Sequence, residues 1–167
     1  MTQWPAFSPT PILARLVAHG VDFVVVGGIA VVLHGSARLT QDLDISYATD
    51  DANLEQLGAT LIELGAKLRG LEQDVPFVPD ARTLRQTSIL CLETNHGIVD
   101  VLAAPDGAPP YADLRARADR FSLGDFAVLV ASIDDLLSMK RAGGRAKDLA
   151  DIEDLEAVRR LSRERPR

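Results

Sequence analysis

Two aspartates, Asp42 and Asp44, are separated by a single residue in the strand-like stretch Asp-Leu-Asp-Ile-Ser-Tyr. Side chains alternate between the faces of a β-strand, so both carboxylates would lie on one face, about 6–7 Å apart. Neighbouring carboxylates repel each other, and the pKa of one should be high unless a cation lies between them. The pattern therefore indicates a cation site, and Mg²⁺ is the simplest candidate because it takes few carboxylates together with substrate phosphates. The alternative is a polar strand edge that faces solvent.

A third aspartate, Asp100, lies in the run Gly-Ile-Val-Asp-Val-Leu-Ala, where its neighbours favour burial. A buried carboxylate requires a cation or several hydrogen-bond donors. If Asp100 joins Asp42 and Asp44, three carboxylates from two neighbouring strands form a two-metal site for in-line phosphoryl displacement, and Asp100 can accept the proton of the attacking hydroxyl. The alternative is an aspartate at a strand end that accepts backbone hydrogen bonds.

The residues before the aspartate pair are of types that bind phosphate groups. Gly27 and Gly28 stand between an apolar strand and a short apolar helix. There, backbone amides can approach phosphate oxygens and the helix N-terminus adds positive potential. Arg38 follows the same helix and can contact the same triphosphate. The glycines are not a dinucleotide-binding or P-loop motif, because the further glycines and the Lys-Ser/Thr pair of those motifs are missing.

Two charged residues near the C-terminus bear on the same site. Lys140 continues the apolar stripe of its predicted helix. It therefore either extends its ammonium group to solvent or reaches a buried anion such as a triphosphate. Asp148 is predicted to open the last helix, where a carboxylate complements the helix dipole.

The elements that must position these residues alternate between strands and helices. We predict strands over residues 21–26, 42–47, 87–93, 97–103, 121–123 and 126–130, and helices over residues 11–20, 29–34, 51–64, 133–142 and 147–160. The strands on either side of residues 94–96 should form a hairpin. The fold class is therefore α/β (α+β), a mixed β-sheet flanked by helices. We predict a single domain over residues 1–167, with a core at about 9–130 and a C-terminal helical segment at about 131–167.

The composition excludes several classes of protein. A net charge of −6 over 167 residues argues against a surface that coats nucleic acids in general. No apolar run approaches the ~20 residues of a membrane-spanning helix, and no secretory leader is visible. We therefore expect a cytoplasmic protein that does not bind membranes. The single cysteine, Cys91, lies in an apolar run, which predicts a buried and unreactive thiol.

Together, Gly27-Gly28, Asp42-Leu43-Asp44 and Asp100 resemble the signature of the nucleotidyltransferase superfamily with a DNA polymerase beta-like fold. That signature is a Gly-Ser or Gly-Gly turn, a helix, Asp-x-Asp on the next strand and a third Asp on a later strand. The whole run 26–45 is similar to small prokaryotic members related to abortive-infection (AbiE-system) nucleotidyltransferase toxins. Lys140, followed by Arg-Ala-Lys-Asp-Leu-Ala-Asp-Ile at 145–152, is similar to their C-terminal elements.

The resemblance implies a minimal nucleotidyltransferase fold with C-terminal helices and an enzyme that moves a nucleoside monophosphate from an NTP to a hydroxyl acceptor. It implies a two-ion Mg²⁺ site, with Mn²⁺ as the alternative ion, formed by the catalytic residues Asp42, Asp44 and Asp100. It further implies nucleotide binding by Gly27, Gly28, Arg38, Thr40, Lys140 and Asp148. Gly28 replaces the serine of the Gly-Ser form, so the backbone amides would contact phosphate without that hydroxyl.

The partners implied by the resemblance are an NTP, an acceptor and, for a toxin of a toxin–antitoxin pair, a cognate antitoxin protein. The acceptor is tRNA or another RNA, a protein or a small molecule. The alternative function is a non-catalytic nucleotide- or partner-binding module on the same fold. The third carboxylate, Asp100, favours the enzyme.

Overall fold

A computed structural model describes residues 6–71 and 76–164, so both ends of the predicted domain, 1–5 and 165–167, lie outside the described residues. The strands are β1 Phe23–Val26, β2 Asp42–Tyr47, β3 Lys67–Leu68, β4 Ile89–Thr94, β5 Gly97–Leu102, β6 Asp119–Leu123 and β7 Phe126–Val130. The helices are α1 Pro9–Ala18, α2 Gly27–Leu33, α3 Asp51–Glu63, α4 Ala81–Gln86, α5 Tyr111–Arg117, α6 Ile133–Gly143 and α7 Ala146–Glu164. Among these helices, none is long and apolar enough to cross a membrane.

The seven strands form one mixed sheet in the order β3-β4-β5-β2-β1-β7-β6. β2 pairs in parallel with β5, and β1 pairs in parallel with β7, whereas the other neighbouring strands are antiparallel. Helices α1, α3 and α4 contact one another in series, and α2 contacts α6 and α7. This arrangement confirms the predicted mixed sheet with flanking helices.

The strands of the site alternate between a buried and a partly exposed face, along the whole of β5 and over Asp42–Ile45 of β2. Leu43 and Ile45 on β2 and Val99 and Val101 on β5 are completely buried in the core. Successive side chains of a strand point to opposite faces, so the residues between them lie on the other side of the sheet. The apolar positions of β2 and β5 therefore fix which face carries the aspartates.

The predicted hairpin is present as β4 and β5, which pair along their full length around Asn95 and His96. Its register places Cys91 opposite Asp100. The prediction of a buried thiol is wrong, because Cys91 is exposed. The apolar run around Cys91 buries only every second side chain, Leu90 and Leu92, and Cys91 points to the opposite face. Strand β3, which covers this hairpin at the sheet edge, was not predicted because it is only two residues long.

Candidate active site

The parallel pairing of β2 with β5 brings the three predicted carboxylates together. Asp42 lies opposite Ile98 and Asp44 lies opposite Asp100, all on the same face of the sheet. One carboxylate oxygen from each of Asp42, Asp44 and Asp100 lies within 4.8 Å of the others. Three oxygen ligands at this separation form a donor set of the kind that hard divalent cations prefer.

The electrostatics of this cluster also fit a cation. Burial, followed by the charges of Asp42 and Asp100, raises the pKa of Asp44 to about 7. Burial and the charge of Asp42 raise the pKa of Asp100, although a hydrogen bond with Cys91 and the charge of Arg69 act in the opposite direction. Oδ1 of Asp100 is buried without a hydrogen-bond partner among the described residues. An unpaired buried oxygen and mutual repulsion are both relieved by a bound divalent ion.

Gly27 lies against the Asp44 carboxylate. Its φ of +68° is a left-handed conformation, and a Cβ atom at this position would lie 2.2 Å from Asp44 Oδ2. Glycine is therefore required both by the backbone conformation and by the approach of the carboxylate. Gly27 and Gly28 form the first turn of α2, rather than a separate turn before a helix that begins at residue 29 as predicted.

Gly28 lies against a hydroxyl group that comes from the loop before β2. A Cβ atom at position 28 would lie 2.8 Å from Thr40 Oγ1 and 3.4 Å from Arg38 Cζ. The Thr40 hydroxyl donates a hydrogen bond to Asp42 Oδ1 at 3.1 Å. A hydroxyl is therefore present where a serine at position 28 would place its side chain, although it belongs to Thr40.

Lys140 lies in a buried network of ion pairs between the loop before β2, α6 and α7. Its side chain does not extend to solvent; the residue is only 8% exposed, and Nζ lies 2.8 Å from Asp151 Oδ2 and 3.4 Å from Asp148 Oδ1. Arg38 Nη1 donates to the same Asp151 oxygen at 2.5 Å. Asp148 also accepts hydrogen bonds from the backbone and side chain of Arg145.

Asp148 is completely buried, and its partners keep it ionised. Burial acts to raise its pKa, but the hydrogen bonds from Arg145 and the charge of Lys140 outweigh that effect and lower the pKa of Asp148 to about 2. Asp148 is the third residue of α7 and accepts from the backbone N–H of Arg145, as an N-terminal capping interaction requires. The predicted helix-terminal role of Asp148 is therefore combined with a direct ion pair to Lys140.

A cavity of about 450 Å³ lies between the acidic cluster, the glycine pair and the ion-pair network of Lys140. Asp42, Asp44 and Asp100 line it on one side, and Arg38, Lys140 and Lys147 line it on others. Gly27, Gly28 and Asp148 also line this cavity, whereas Thr40 lies next to two of the lining residues, Gly28 and Asp42. A cavity with clustered carboxylates beside clustered cations can bind a metal–polyphosphate complex.

Residues 11–165 match the family model described as nucleotidyl transferase AbiEii toxin, type IV toxin–antitoxin system. The chain belongs to this nucleotidyltransferase family. The match spans nearly the whole chain and includes all the predicted site residues. It confirms the resemblance that the motifs around Asp42, Asp44 and Asp100 indicated.

Solved structures share the fold of this AbiEii-family chain. The lincosamide antibiotic adenylyltransferase LnuA in its lincomycin-bound form has a TM-score of 0.60 at 20% identity, over 89% of this chain and 94% of LnuA. The antibiotic-resistance factor ANT(2'')-Ia has a TM-score of 0.54 at 16% identity, over 92% and 88% of the two chains. TM1012 of Thermotoga maritima, a nucleotidyltransferase by its description, has a TM-score of 0.50 at 18% identity, over 93% and 91%. A comparison with curated proteins found no match.

Sequence reasoning missed two cations of the AbiEii-family site, Arg145 and Lys147. Lys147 is exposed, lines the same cavity as the three aspartates and lies close enough that its charge acts on Asp44 and Asp100. Lys147 makes no ion pair with another residue in the described part of the chain, in contrast to Lys140. The available signal was its position, because it directly precedes Asp148 in the run that resembles the C-terminal elements of the family.

Proposed function

We propose that the chain is a metal-dependent nucleotidyltransferase that moves a nucleoside monophosphate from an NTP to the hydroxyl group of an acceptor. The observation that carries this proposal is the cluster of Asp42, Asp44 and Asp100, whose carboxylate oxygens lie within 4.8 Å of one another beside a cation-lined cavity. A structural role for three adjacent carboxylates is disfavoured, because their repulsion and burial raise the pKa of Asp44 to about 7.

Asp42, Asp44 and Asp100 would hold the divalent ions, for which we propose Mg²⁺ with Mn²⁺ as the alternative. When bound, the ions supply positive charge that offsets both the carboxylate repulsion and the charge of the triphosphate. The fit rests on this chain's own donor set, which consists of oxygen ligands and includes the unpaired Asp100 Oδ1.

In the proposed reaction, the acceptor oxygen forms a bond to the α-phosphorus of the NTP. The bond from that phosphorus to the oxygen that bridges to the β-phosphate breaks, and pyrophosphate leaves. The proton of the acceptor hydroxyl passes to the Asp100 carboxylate, which acts as the general base.

The triphosphate would be bound by groups on the other sides of the cavity. Lys147 lines the cavity and has no ion-pair partner within residues 6–71 and 76–164, and Lys140 is held in a fixed position by Asp148 and Asp151. The glycine pair lets the backbone of α2 come close to a bound phosphate, and the Thr40 hydroxyl lies beside it. Arg38 would act mainly by fixing Asp151, because its guanidinium is already bound to that carboxylate.

The acceptor and the biological role are proposed from the comparisons. The family description supports a toxin of a toxin–antitoxin pair, for which a cognate antitoxin and an RNA or tRNA acceptor are candidates. Two structural neighbours are named as an adenylyltransferase with lincomycin and as ANT(2'')-Ia with adenylyl-2''-tobramycin, which supports a small-molecule acceptor. Because the proposed reaction consumes NTPs, which are made in the cytoplasm, we propose a cytoplasmic location for the enzyme.

Incubation with each α-³²P-labelled NTP, Mg²⁺ and an acceptor pool would test the proposal. The pools are total RNA, total protein and the small-molecule fraction of a bacterial extract, together with lincomycin and tobramycin. We expect label in one pool, and a loss of about 10²–10⁴-fold in Asp44→Asn and Asp100→Asn. The matched control is Asp51→Asn, because Asp51 is an exposed aspartate paired with Arg85 on the surface.

Two results would contradict catalysis. If no pool is labelled although Mg²⁺–NTP binds to the wild type, the chain is a nucleotide-binding module on the same fold. If labelling persists in Asp44→Asn and Asp100→Asn, the transfer chemistry does not depend on the acidic cluster.

A further inference from the structure

The sheet is uncovered around Asp100 on the face that carries the three aspartates, and this uncovered part is continuous with the nucleotide cavity, which Ile89 and Leu102 also line. On β4 and β5 the core face is buried, as shown by Leu90, Leu92 and Val99. The opposite face carries a set of mostly apolar side chains that are at least partly exposed. We call this set the open face, and it consists of Ile89, Cys91, Glu93, Ile98 and Leu102.

The register of the hairpin places the open face directly around Asp100. Cys91 is the cross-strand neighbour of Asp100, and Ile89 is the cross-strand neighbour of Leu102. Directly opposite side chains lie about 4.5–5.5 Å apart, and diagonal neighbours lie about 7–8 Å apart. An acceptor whose hydroxyl reaches Asp100 therefore lies over Cys91, Ile89 and Leu102.

Ile89 is an exposed apolar side chain on β4, with 58% of its surface accessible. Solvent-facing positions of a half-covered antiparallel sheet are normally polar. Contiguous exposed apolar side chains next to a reactive group are typical of a ligand-binding surface.

The charges around the open face differ from those around the nucleotide. Arg38, Lys140, Arg145 and Lys147 line the cavity on the nucleotide side. The open face carries Glu93, and Asp106 lines the cavity near Leu102. Two cations also lie on this face, because Lys67 is opposite Glu93 and the backbone N–H of Arg69 donates to the carbonyl of Cys91. A nucleic acid needs several lysine or arginine contacts along its phosphates, whereas the charges of Lys67 and Arg69 are balanced here by those of Glu93 and Asp106.

We propose that the open face is the acceptor site, and that the acceptor is a small amphipathic molecule with a hydroxyl group and no phosphate. Its apolar side lies on Ile89 and Leu102, and its hydroxyl points to Asp100. A second cavity of about 500 Å³ along the same face, lined by Phe7, Ile98 and Glu93 among others, provides further room of the size that small ligands occupy. This inference rests on the proposed function, which supplies the nucleotide and the transfer step.

The test compares Ile89→Lys with Ile62→Lys in the labelling assay, using the small-molecule fraction and total RNA as separate acceptor pools. Ile62 is the matched control because it is an isoleucine on α3 that is 50% exposed. We expect label in the small-molecule fraction, and at least a tenfold lower kcat/KM for that fraction in Ile89→Lys, because apolar contact worth over 1.4 kcal/mol is lost. The KM for the NTP and the rate of Ile62→Lys should stay at the wild-type values.

The result that overturns the inference is label in RNA or protein with an Ile89→Lys rate that is unchanged or higher, since an added lysine favours a polyanion. In that case the proposed function stands and only the acceptor class is wrong. If no pool is labelled by the wild type, the proposed function fails and this inference fails with it.

Alkylation of Cys91 gives a second measurement that does not depend on a substitution at Ile89. N-ethylmaleimide should attach to this exposed thiol and block acceptor transfer, while equilibrium binding of Mg²⁺–NTP is retained. Cys91→Ser lacks the thiol, so its rate of transfer should be the same with and without the reagent. Full transfer by the alkylated wild type would show that the acceptor does not lie over Cys91.

Discussion

At the scale of single residues, the site depends on how closely the backbone of Gly27 approaches Asp44. Replacement by alanine combines a left-handed φ of +68° with a Cβ atom 2.2 Å from Asp44 Oδ2. The conformation alone costs of the order of 1–2 kcal/mol, and the collision must also displace the carboxylate. The geometry of the acidic cluster therefore depends partly on the absence of a side chain at position 27.

We predict that Gly27→Ala lowers the free energy of unfolding by more than 2 kcal/mol and weakens Mg²⁺ binding at least tenfold. The control is Gly124→Ala, because Gly124 has a similar φ of +74° and no atom within 4 Å of an added Cβ. It should lose only the conformational part of the stability and keep Mg²⁺ binding. Denaturant unfolding and Mg²⁺ titration calorimetry measure the two effects, and equal losses in both variants would refute the role of the Asp44 contact.

The carboxyl group of Asp44 should make stability without metal depend on pH. The folded protein holds its proton up to a pKa of about 7, whereas the unfolded chain releases it near the ordinary value of 3.8. The folded state therefore binds more protons between these values, and stability falls as the pH rises from about 4 to 7. The loss is at most about 4 kcal/mol and is complete above pH 7.

Thermal unfolding in EDTA at a series of pH values measures this effect. We expect the fall between pH 4 and 7 in the wild type and in Asp51→Asn, and a much weaker fall in Asp44→Asn, because the amide does not ionise. Added Mg²⁺ should stabilise the wild type increasingly over the same range, as the carboxylate becomes available. An Asp44→Asn profile that follows the wild type would assign the titration to another group.

At the scale of elements, α7 stabilises α6 and the loop before β2 through buried ion pairs. Asp151 is 2% exposed and accepts from both Arg38 and Lys140. Removal of one partner from such a network leaves an uncompensated buried charge, which is far more costly than the loss of a surface pair. The ion pairs therefore fix both the position of Lys140 and the attachment of the last helix.

We predict that Asp151→Ala lowers the free energy of unfolding by about 3–5 kcal/mol and raises the KM for the NTP, because Lys140 loses its fixed position. Glu156→Ala on the same helix is the control, since Glu156 pairs with Arg141 at the surface. It should cost less than 1 kcal/mol and leave the KM unchanged. Urea unfolding and steady-state kinetics provide the comparison, and similar values for the two variants would show that the network is not stabilising.

At the scale of the whole molecule, the nucleotide cavity joins the sheet to the C-terminal helices. Asp42, Asp44 and Asp100 come from β2 and β5, whereas Lys140 and Lys147 come from α6 and α7. A ligand that bridges these elements must stabilise them together. The cavity therefore depends on tertiary contacts between parts of the chain that are about a hundred residues apart.

We predict that Mg²⁺–NTP protects both β2 and the α6–α7 junction at residues 143–148 from amide hydrogen exchange. Saturation at about 100 times Kd should add roughly 2.7 kcal/mol to the free energy of unfolding. The control segment is α3, which lies away from the cavity and should show only the global change. Protection at β2 without protection at the α6–α7 junction would show that the C-terminal lysines do not bind the nucleotide.

The sequence by itself determined the fold class, the family and the elements that carry the site. These depend on local patterns. Alternation on β2 places Asp42 and Asp44 on one face, and the apolar neighbours of Asp100 define β5 in the same way. The short link between β4 and β5 predicts their hairpin. The single-domain boundaries and the roles of the site residues stay predictions.

Tertiary structure alone decided which of these residues meet and what surrounds them. The parallel pairing of β2 with β5 brings Asp100 to the aspartate pair, and no local pattern specifies that register. The burial of Lys140 against Asp151, the Thr40 hydroxyl beside Gly28 and the exposure of Cys91 were equally invisible in the sequence. The periodicity of the sequence indicates which face of a helix or strand is apolar. The ion-pair partner of a charged side chain depends instead on contacts between distant segments. For that reason the chemistry could be inferred from residue types, but its cavity and open face could not.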